Sequence, residues 1–269
     1  MVSPIKLMIA EQEKFQGKAL SISHTKIAIS TIKEKFIPQQ LRRFEESCIG
    51  HLLLIEDLKW TSPIVHGLLL RKADPKTVSQ VNGIKFIVGN KVIQFTMQQF
   101  CVVTGLRFEN LPFIQIATNE NCSLKRKYFG NDKTVNLLEL EKAFLDYADE
   151  DDVLKLGFVY FAVFVLLGSE KYVYIDMRYL KLAEDLEEFV KYQLGAVSYA
   201  KINASLLRAL CADYQRVKVP NGILSVIFQC SNKNKSQVFE NAQWWCTKIM
   251  PTSLVYFIGG AILQVVFMS

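Results

Sequence analysis

The side chains that most often carry covalent chemistry are few in this sequence and lie far apart. A cysteine nucleophile needs a histidine base within reach and a third group that orients the base. No cysteine has a glycine-rich, strained or helix-opening sequence context that would lower its thiol pKa. The sequence therefore predicts no catalytic Cys–His pair. The residues concerned are Cys48, Cys101, Cys122, Cys211, Cys230 and Cys246, with His24, His51 and His66.

A zinc site is the second chemistry that these residue types suggest. Cys48 and His51 have the spacing of half a zinc site, and His66 is the other ligand close in sequence. A structural zinc ion takes four protein ligands, so this set is incomplete. Two residues on one buried helix face explain the spacing without a metal. We predict no metal site and no cofactor.

Acidic side chains cluster at two places and are candidates for acid–base catalysis or Mg²⁺ binding. Adjacent acids on helical periods are typical of solvated faces and helix starts. No glycine-rich phosphate loop and no Gly-x-Ser-x-Gly motif accompanies them. The sequence thus predicts no catalytic, cofactor-binding or metal-binding residue, and a protein that is not an enzyme. The two clusters are Asp149 to Asp152, and Glu184, Asp185, Glu187 and Glu188.

Composition excludes general disorder, because 50% of the 269 residues are apolar and 12% are aromatic. The N-terminus contains no apolar run of signal-peptide length, and the cysteines form no CxxC pair. We therefore expect free thiols and an intracellular protein, nuclear or cytoplasmic.

Charge is distributed unevenly along the chain, although the net value is only +6. Residues 1–130 carry 18 basic and 10 acidic side chains, residues 131–200 carry 7 and 14, and residues 201–269 carry 7 and 2. A basic first half favours polyanions through phosphate neutralisation, which leaves weak nucleic-acid binding as an alternative function. The one tight basic run is Lys125-Arg126-Lys127, and a solvated basic surface explains the rest.

The elements that would position these side chains include one β-hairpin near residues 84–95. Two β-prone runs, Ile84–Val88 and Lys91–Phe95, flank Gly89-Asn90, a dipeptide suited to a two-residue turn. Thr96 then begins a predicted capping box with a glutamine three residues on. Gly105 fits the left-handed residue that ends a helix.

Helices are predicted on both sides of this unit. Pro38 suits a first helical turn, Thr134 is a predicted N-cap, and Ser198 opens a further helix. Val153 to Leu167 is apolar nearly all round, as expected of a central buried helix, and an amphipathic segment runs near Asp176 to Tyr192. The fold class is therefore mainly α (α+β), a multi-helix globular domain with one hairpin.

The chain divides into a poorly ordered N-terminal segment, residues 1–35, a helical domain, residues 36–230, and a divergent apolar tail, residues 231–269. Within the tail, Ile249 to Met268 has no charge over twenty residues, the length of a membrane-spanning helix. A proline and two glycines within the segment argue against a continuous membrane-spanning helix. A segment buried in a protein core would have the same apolar composition. A tail-anchored membrane protein is thus a second alternative function, beside a core segment or a gene-model artefact.

Short blocks of residues in a fixed order carry a resemblance to a known family. The series is similar to a plant domain of unknown function, number nineteen eighty-five, and extends over roughly residues 35 to 228. The blocks include Ser47–Leu52, Val65–Arg71, Phe86–Gly89, Phe100–Leu106, Tyr128–Gly130 and Glu184–Phe189.

The resemblance implies a plant source, transposon-derived genes and a frequent position upstream of a cysteine protease of the SUMO-protease class. That protease would show His-Trp, a following Asp, a Gln and a Gly-x-Cys-Gly segment, and none is present, so its activity is not carried over. Gln193-Leu194-Gly195 also departs from the Pro-Trp-Gly that is usual in the family. We expect an uncharacterised, non-enzymatic protein-interaction module that lacks the protease domain, with an unknown protein partner.

Overall fold

The computed structural model describes residues 5–10, 20–22, 25–54, 67–68, 70–77, 83–89, 91–107, 122–130, 134–147, 149–208 and 218–220. Several predictions concern residues outside these ranges and are not addressed by the structure. They concern the tail segment Ile249 to Met268, three residues of the resemblance block Val65–Arg71, His24, His66, Cys211, Cys230 and Cys246.

Nine α-helices occur in the described part of the chain, and one short 3₁₀ helix, Gly50–Leu54, follows the second of them. The helices are α1 (Thr25–Lys35), α2 (Pro38–Glu45), α3 (Met97–Thr104), α4 (Ser123–Tyr128), α5 (Leu137–Asp146), α6 (Glu150–Phe161), α7 (Met177–Leu182), α8 (Leu186–Lys191) and α9 (Leu194–Arg208).

The strands within the described residues form two small sheets. They are β1 (Leu20–Ile22), β2 (Ile84–Val88), β3 (Lys91–Phe95) and β4 (Lys218–Pro220). β2 and β3 form the predicted antiparallel hairpin, with Ile84 opposite Phe95. β1 and β4 form a parallel pair, which the sequence did not predict. The mainly α fold class with one hairpin is therefore confirmed for the described residues.

The centre of the fold is α6, together with the π-helical turn Ala162–Leu166 that continues it. Every side chain from position 156 to position 167 is buried, which an all-round apolar sequence allows. Helices α1, α2 and α5 contact this central element. The prediction of a buried central helix is confirmed. It begins at Glu150 rather than Val153, because the Asp149 side chain accepts a hydrogen bond from the Asp152 amide at 3.2 Å and caps it.

An aromatic cluster joins the first helices to the central one. Phe44 of α2 is fully buried, and its ring centroid lies 4.7 Å from that of Phe158 and 5.4 Å from that of Phe161. Phe36, which follows α1, lies 5.6 Å from Phe144 of α5 in an edge-on arrangement. Such pairs add about 0.5–1.5 kcal/mol each beyond the apolar area they bury.

The hairpin is fastened to α3 and α9. Thr96 Oγ1 accepts from the Gln99 amide at 3.2 Å, and the Thr96 amide donates to Gln99 Oε1 at 2.8 Å, which is the predicted capping box. The Tyr199 hydroxyl of α9 accepts from the Ile84 amide at 3.2 Å and donates to the Phe95 carbonyl at 2.7 Å. One tyrosine therefore holds both strand ends at the open end of the hairpin.

Three sequence-based expectations about helix starts and order are wrong. Residues 25–35 were expected to be poorly ordered, yet they form α1, whose Ile32 is fully buried in the core. Asn136, not Thr134, caps α5, because its side chain accepts from the Glu139 amide at 2.9 Å. Ser198 does not open a helix. It is buried inside α9, which begins at Leu194.

The segment predicted to be one amphipathic helix near Asp176 to Tyr192 is two short helices, α7 and α8. Asp185 lies between them and accepts hydrogen bonds from the amides of Glu187 at 2.9 Å and Glu188 at 3.3 Å. The Asp185 side chain therefore caps the N-terminus of a separate helix, α8. The division of the chain at residues 35 and 230 stays a prediction.

Candidate functional site

His51 lies against the C-terminal end of α3. Its Nε2 is 2.7 Å from the Thr104 carbonyl oxygen, so this nitrogen carries the hydrogen and donates. Burial lowers the pKa of His51, and the hydrogen bond to Thr104 opposes that effect without reversing it. The ring is held neutral as a donor to an otherwise free helix-end carbonyl. This is a structural role.

Gly105 allows that contact. Its φ of +69° is left-handed, as predicted for the residue that ends α3. A Cβ atom at this position would lie 2.7 Å from His51 Nε2. The backbone conformation and the close imidazole therefore both require glycine.

Neither cysteine close to this histidine in the fold is an activated thiol. Burial raises the pKa of Cys48 to about 11, although the positive charge of Arg107 opposes it. Burial alone raises the pKa of Cys101 to about 12. Both are protonated near neutral pH, and a protonated thiol is a poor nucleophile. A Cβ on Gly195 would lie 2.8 Å from Cys101 Sγ, so this thiol packs directly on α9.

Cys122 corrects one sequence-based expectation. No cysteine was expected to open a helix, but the Cys122 side chain accepts from the Lys125 amide at 3.4 Å at the start of α4. Its thiol is not activated by that position, because burial raises its pKa. Among the described residues, no group of three or more His, Cys, Asp and Glu side chains could hold a metal ion.

The acidic run Asp149 to Asp152 is engaged in helix capping and ion pairs. Lys127 Nζ lies 2.9 Å from Asp149 and also bonds Asp152, which accepts from the Tyr128 hydroxyl at 2.7 Å. These side chains are partly exposed, so each ion pair contributes little to stability. They join α4 to the start of α6. The positive charge of Lys127 is therefore paired with carboxylates of the same protein. This pairing lowers the net positive charge that the basic run Lys125-Arg126-Lys127 presents to a phosphate.

The second acidic cluster also makes structural contacts. Glu184 accepts from Lys181 Nζ at 2.7 Å and from the Ser123 hydroxyl at 2.6 Å. Partial burial opposes the effect, but these bonds lower the pKa of Glu184 to about 2. The carboxylate links α4 to α7. It is ionised near neutral pH and accepts several hydrogen bonds, whereas a general acid must carry a proton that it can donate.

Tyr172, the most exposed large apolar side chain among the described residues, lies in a turn between α6 and α7, Glu170–Tyr174, which we name the tyrosine turn. Tyr172 is 81% exposed, Tyr174 is 66% exposed and Val173 is 46% exposed. Large apolar side chains grouped at a surface mark contact sites, whereas scattered single ones are ordinary. The tyrosine turn is therefore the candidate functional site among the described residues.

The backbone of the tyrosine turn is fixed by an adjoining segment of the fold. The Leu138 amide donates to the Lys171 carbonyl at 2.8 Å, the Leu137 amide donates to the Val173 carbonyl at 3.2 Å, and the Ile175 amide donates to the Val135 carbonyl at 2.9 Å. The Val173 amide closes the turn on the Glu170 carbonyl at 3.0 Å.

A partly buried ion pair anchors the same turn to the rest of the fold. Lys171 Nζ lies 2.6 Å from Glu141 Oε2, and Glu141 Oε1 accepts from the Tyr160 hydroxyl at 3.0 Å. Glu141 is only 8% exposed, so its charge requires these two donors. The exposed rings thus project from a turn whose backbone is held in place.

Sequence reasoning did not single out the tyrosine turn. The sequence does contain a signal for it: Gly168, whose φ is +58°, follows the central helix, and two tyrosines lie between it and the amphipathic segment predicted near Asp176. Lys72 was also missed. It is fully buried, and its Nζ has no hydrogen-bond partner in the described part of the chain.

The fold is thus a helical domain. Among the described residues, the thiols pack against or cap helices, and the carboxylates cap helices or form ion pairs between them. Residues 76–205 match the family model of Domain of unknown function (DUF1985), so this stretch of the chain is similar to that family. The resemblance stated from the sequence is thereby confirmed, over a shorter range than expected, because the block Ser47–Leu52 lies outside the match. No curated protein and no solved structure matches.

Within the described ranges, no helix is both long enough and apolar enough to cross a bilayer. Ile249 to Met268, the segment for which a membrane anchor was considered, lies outside those ranges. Nucleic-acid binding stays an untested alternative.

Proposed function

We propose that this domain is a non-enzymatic protein-interaction module and that the tyrosine turn contacts its partner. The single observation that carries the proposal is the exposure of Tyr172 and Tyr174, at 81% and 66%, on a backbone fixed by hydrogen bonds. Tyrosine is enriched at protein interfaces because its ring buries a large area at low entropic cost, while its hydroxyl keeps a polar contact.

A rigid turn favours binding for a further reason. Ordering a loop at an interface costs free energy that subtracts from affinity. The tyrosine turn is already held through its carbonyls and through Lys171, so little backbone ordering remains on association.

The charge of this part of the chain indicates the partner's chemistry. Residues 131–200, which contain the turn, carry 14 acidic and 7 basic side chains. Complementary potential steers association and selects partners. The partner we propose is therefore a protein with a basic surface that accepts two tyrosine rings.

The proposal is tested with the double variant Tyr172→Ser/Tyr174→Ser. A partner captured by the wild-type protein is purified and titrated against wild type and variant by calorimetry. We expect affinity to fall at least tenfold, since two interface tyrosines are worth about 2 kcal/mol or more. Val92→Ser removes an apolar side chain that is 43% exposed on the hairpin and should leave affinity unchanged. Equal affinities for all three proteins would refute the proposal.

The non-enzymatic half has its own test. The purified chain is incubated with precursors of ubiquitin-like proteins, alongside Cys48→Ser and Cys101→Ser variants. We expect no cleavage above background, because burial raises the pKa of both thiols well above neutral pH and keeps them protonated. Turnover by the wild type that either variant loses would overturn this half of the proposal.

The remaining implications of the family resemblance belong to the same proposal. They are a plant source, a transposon-derived gene, an association with SUMO-protease-class proteins and an intracellular location. They rest on the resemblance and on the sequence, and no contact in the described residues bears on them.

A further inference from the structure

Ser123 lies in the first turn of α4, where its hydroxyl is at the surface. Its Oγ donates to Glu184 Oε1 at 2.6 Å, and its backbone amide donates to the same oxygen. The other oxygen, Glu184 Oε2, accepts from Lys181 Nζ at 2.7 Å. Ser123 is thus the α4 end of a polar contact between α4 and α7, and a carboxylate is the α7 end.

The residues that follow Ser123 give it a distinctive chemical context. Leu124 is buried, and the basic run Lys125-Arg126-Lys127 occupies the second, third and fourth positions after the serine. Some protein kinases bind basic residues close to the target hydroxyl in acidic pockets. The sequence around Ser123 matches a kinase that selects basic residues after the serine. Within this run, Lys127 pairs with Asp149 and Asp152.

We propose that Ser123 is a phosphorylation site for a protein kinase of this class, and that phosphate there opens the contact between α4 and α7. In the transfer, Ser123 Oγ bonds to the γ-phosphorus of a nucleoside triphosphate. The bond from that phosphorus to the bridging oxygen breaks, the nucleoside diphosphate leaves, and the hydroxyl proton passes to the base of the kinase.

The expected consequence follows from the charges at the contact. A serine hydroxyl donates a hydrogen to Glu184, whereas a phosphoserine carries about −1.5 to −2 charges near neutral pH and has acceptor oxygens only. The carboxylate that accepts the hydroxyl then repels the phosphate. Lys181 cannot balance both groups, because it already pairs with Glu184. Residues 122–130 should therefore separate from α7.

The experiment uses the full folded chain, ATP and the catalytic fragment of a kinase that selects basic residues after serine. Site mapping by mass spectrometry should find phosphate on Ser123 in the wild type, and its incorporation should be lost in Ser123→Ala. Amide hydrogen exchange is then compared before and after the reaction. Exchange in residues 122–130 and 177–184 should rise at least tenfold on phosphorylation.

Glu184→Gln is the matched control, since glutamine keeps an acceptor oxygen for Ser123 and removes the negative charge. Phosphorylation of this variant should raise exchange far less than in the wild type. The absence of phosphate on Ser123 while the kinase modifies its reference peptide would overturn the proposal. Unchanged exchange after stoichiometric phosphorylation, or an equal rise in Glu184→Gln, would also overturn it. None of these outcomes depends on the tyrosine turn.

Discussion

At the scale of single residues, the Lys72 ammonium is buried with no hydrogen-bond partner among the residues that the structure describes. Its backbone pairs with the hairpin, since Lys72 forms a bridge to Phe86 and its carbonyl accepts from the Met8 amide at 2.9 Å. Burial lowers the pKa of this ammonium from 10.5 to about 8.

Lys72→Met should therefore stabilise the protein. An unfolded chain keeps the lysine pKa near 10.5 while the folded chain has it near 8, so the unfolded state binds more protons between these values. Wild-type stability should rise with pH across that window, and below it the lysine should cost about 3 kcal/mol. Urea titrations at several pH values measure this.

Lys76→Met is the control, because Lys76 is exposed. It should change neither the stability near neutral pH nor its slope with pH. A Lys72→Met protein that is less stable than wild type near neutral pH would show that the ammonium has a favourable partner.

Gly105 gives the second prediction at this scale. Gly105→Ala combines a strained left-handed backbone with a clash against His51, whereas Gly130→Ala has a φ of +84° and open space around it. Backbone strain alone costs about 1–2 kcal/mol. We expect Gly105→Ala to lose at least about 1 kcal/mol more than Gly130→Ala, measured by thermal unfolding. Equal losses would mean that His51 moves aside freely.

At the scale of elements, local rules predicted some boundaries and missed others. Thr96, Gln99 and Gly105 lie within a few residues of one another, so the start and end of α3 could be predicted from sequence alone. The start of α5 was harder to predict, because Thr134 and Asn136 are both residue types that favour a helix N-cap. The choice of Asn136 follows from a pairing with Tyr174, which is distant in sequence.

The two candidate caps of α5 make a matched pair of variants. Asn136→Ala should destabilise the protein by about 1 kcal/mol, because the Glu139 amide loses its acceptor and the reciprocal bond from the Asn136 amide loses its geometry. Thr134→Ala should have little effect. The free energies of unfolding, measured by denaturant titration, check this, and the reverse order would contradict the observed cap.

At the scale of the whole molecule, the sequence predicted the fold class well, because apolar periodicity marks the central helix and β-propensity marks the hairpin. It did not predict the site. The exposure of Tyr172 and Tyr174 depends on the path of the backbone after α6. That path is set by tertiary contacts and cannot be predicted from the local sequence. Lys72 was missed for the same reason, since burial of a lysine follows from tertiary packing.

Charge acts at this scale too. The described helices between residues 131 and 200 belong to the acidic stretch of the chain, while residues 1–130 carry the basic excess. Several of these charges pair across elements, as Lys127 does with Asp149. What remains exposed and apolar at the tyrosine turn is the feature that a partner can bury.

A hydrogen-exchange footprint of the bound domain locates that contact directly. The domain is measured alone and with its captured, purified basic partner. Amides of residues 135–138 and 170–175 should exchange more slowly in the complex, while those of residues 101–105 beside His51 should keep their rates. Protection confined to the residues around His51 and the buried thiols, with none at the tyrosine turn, would contradict the account.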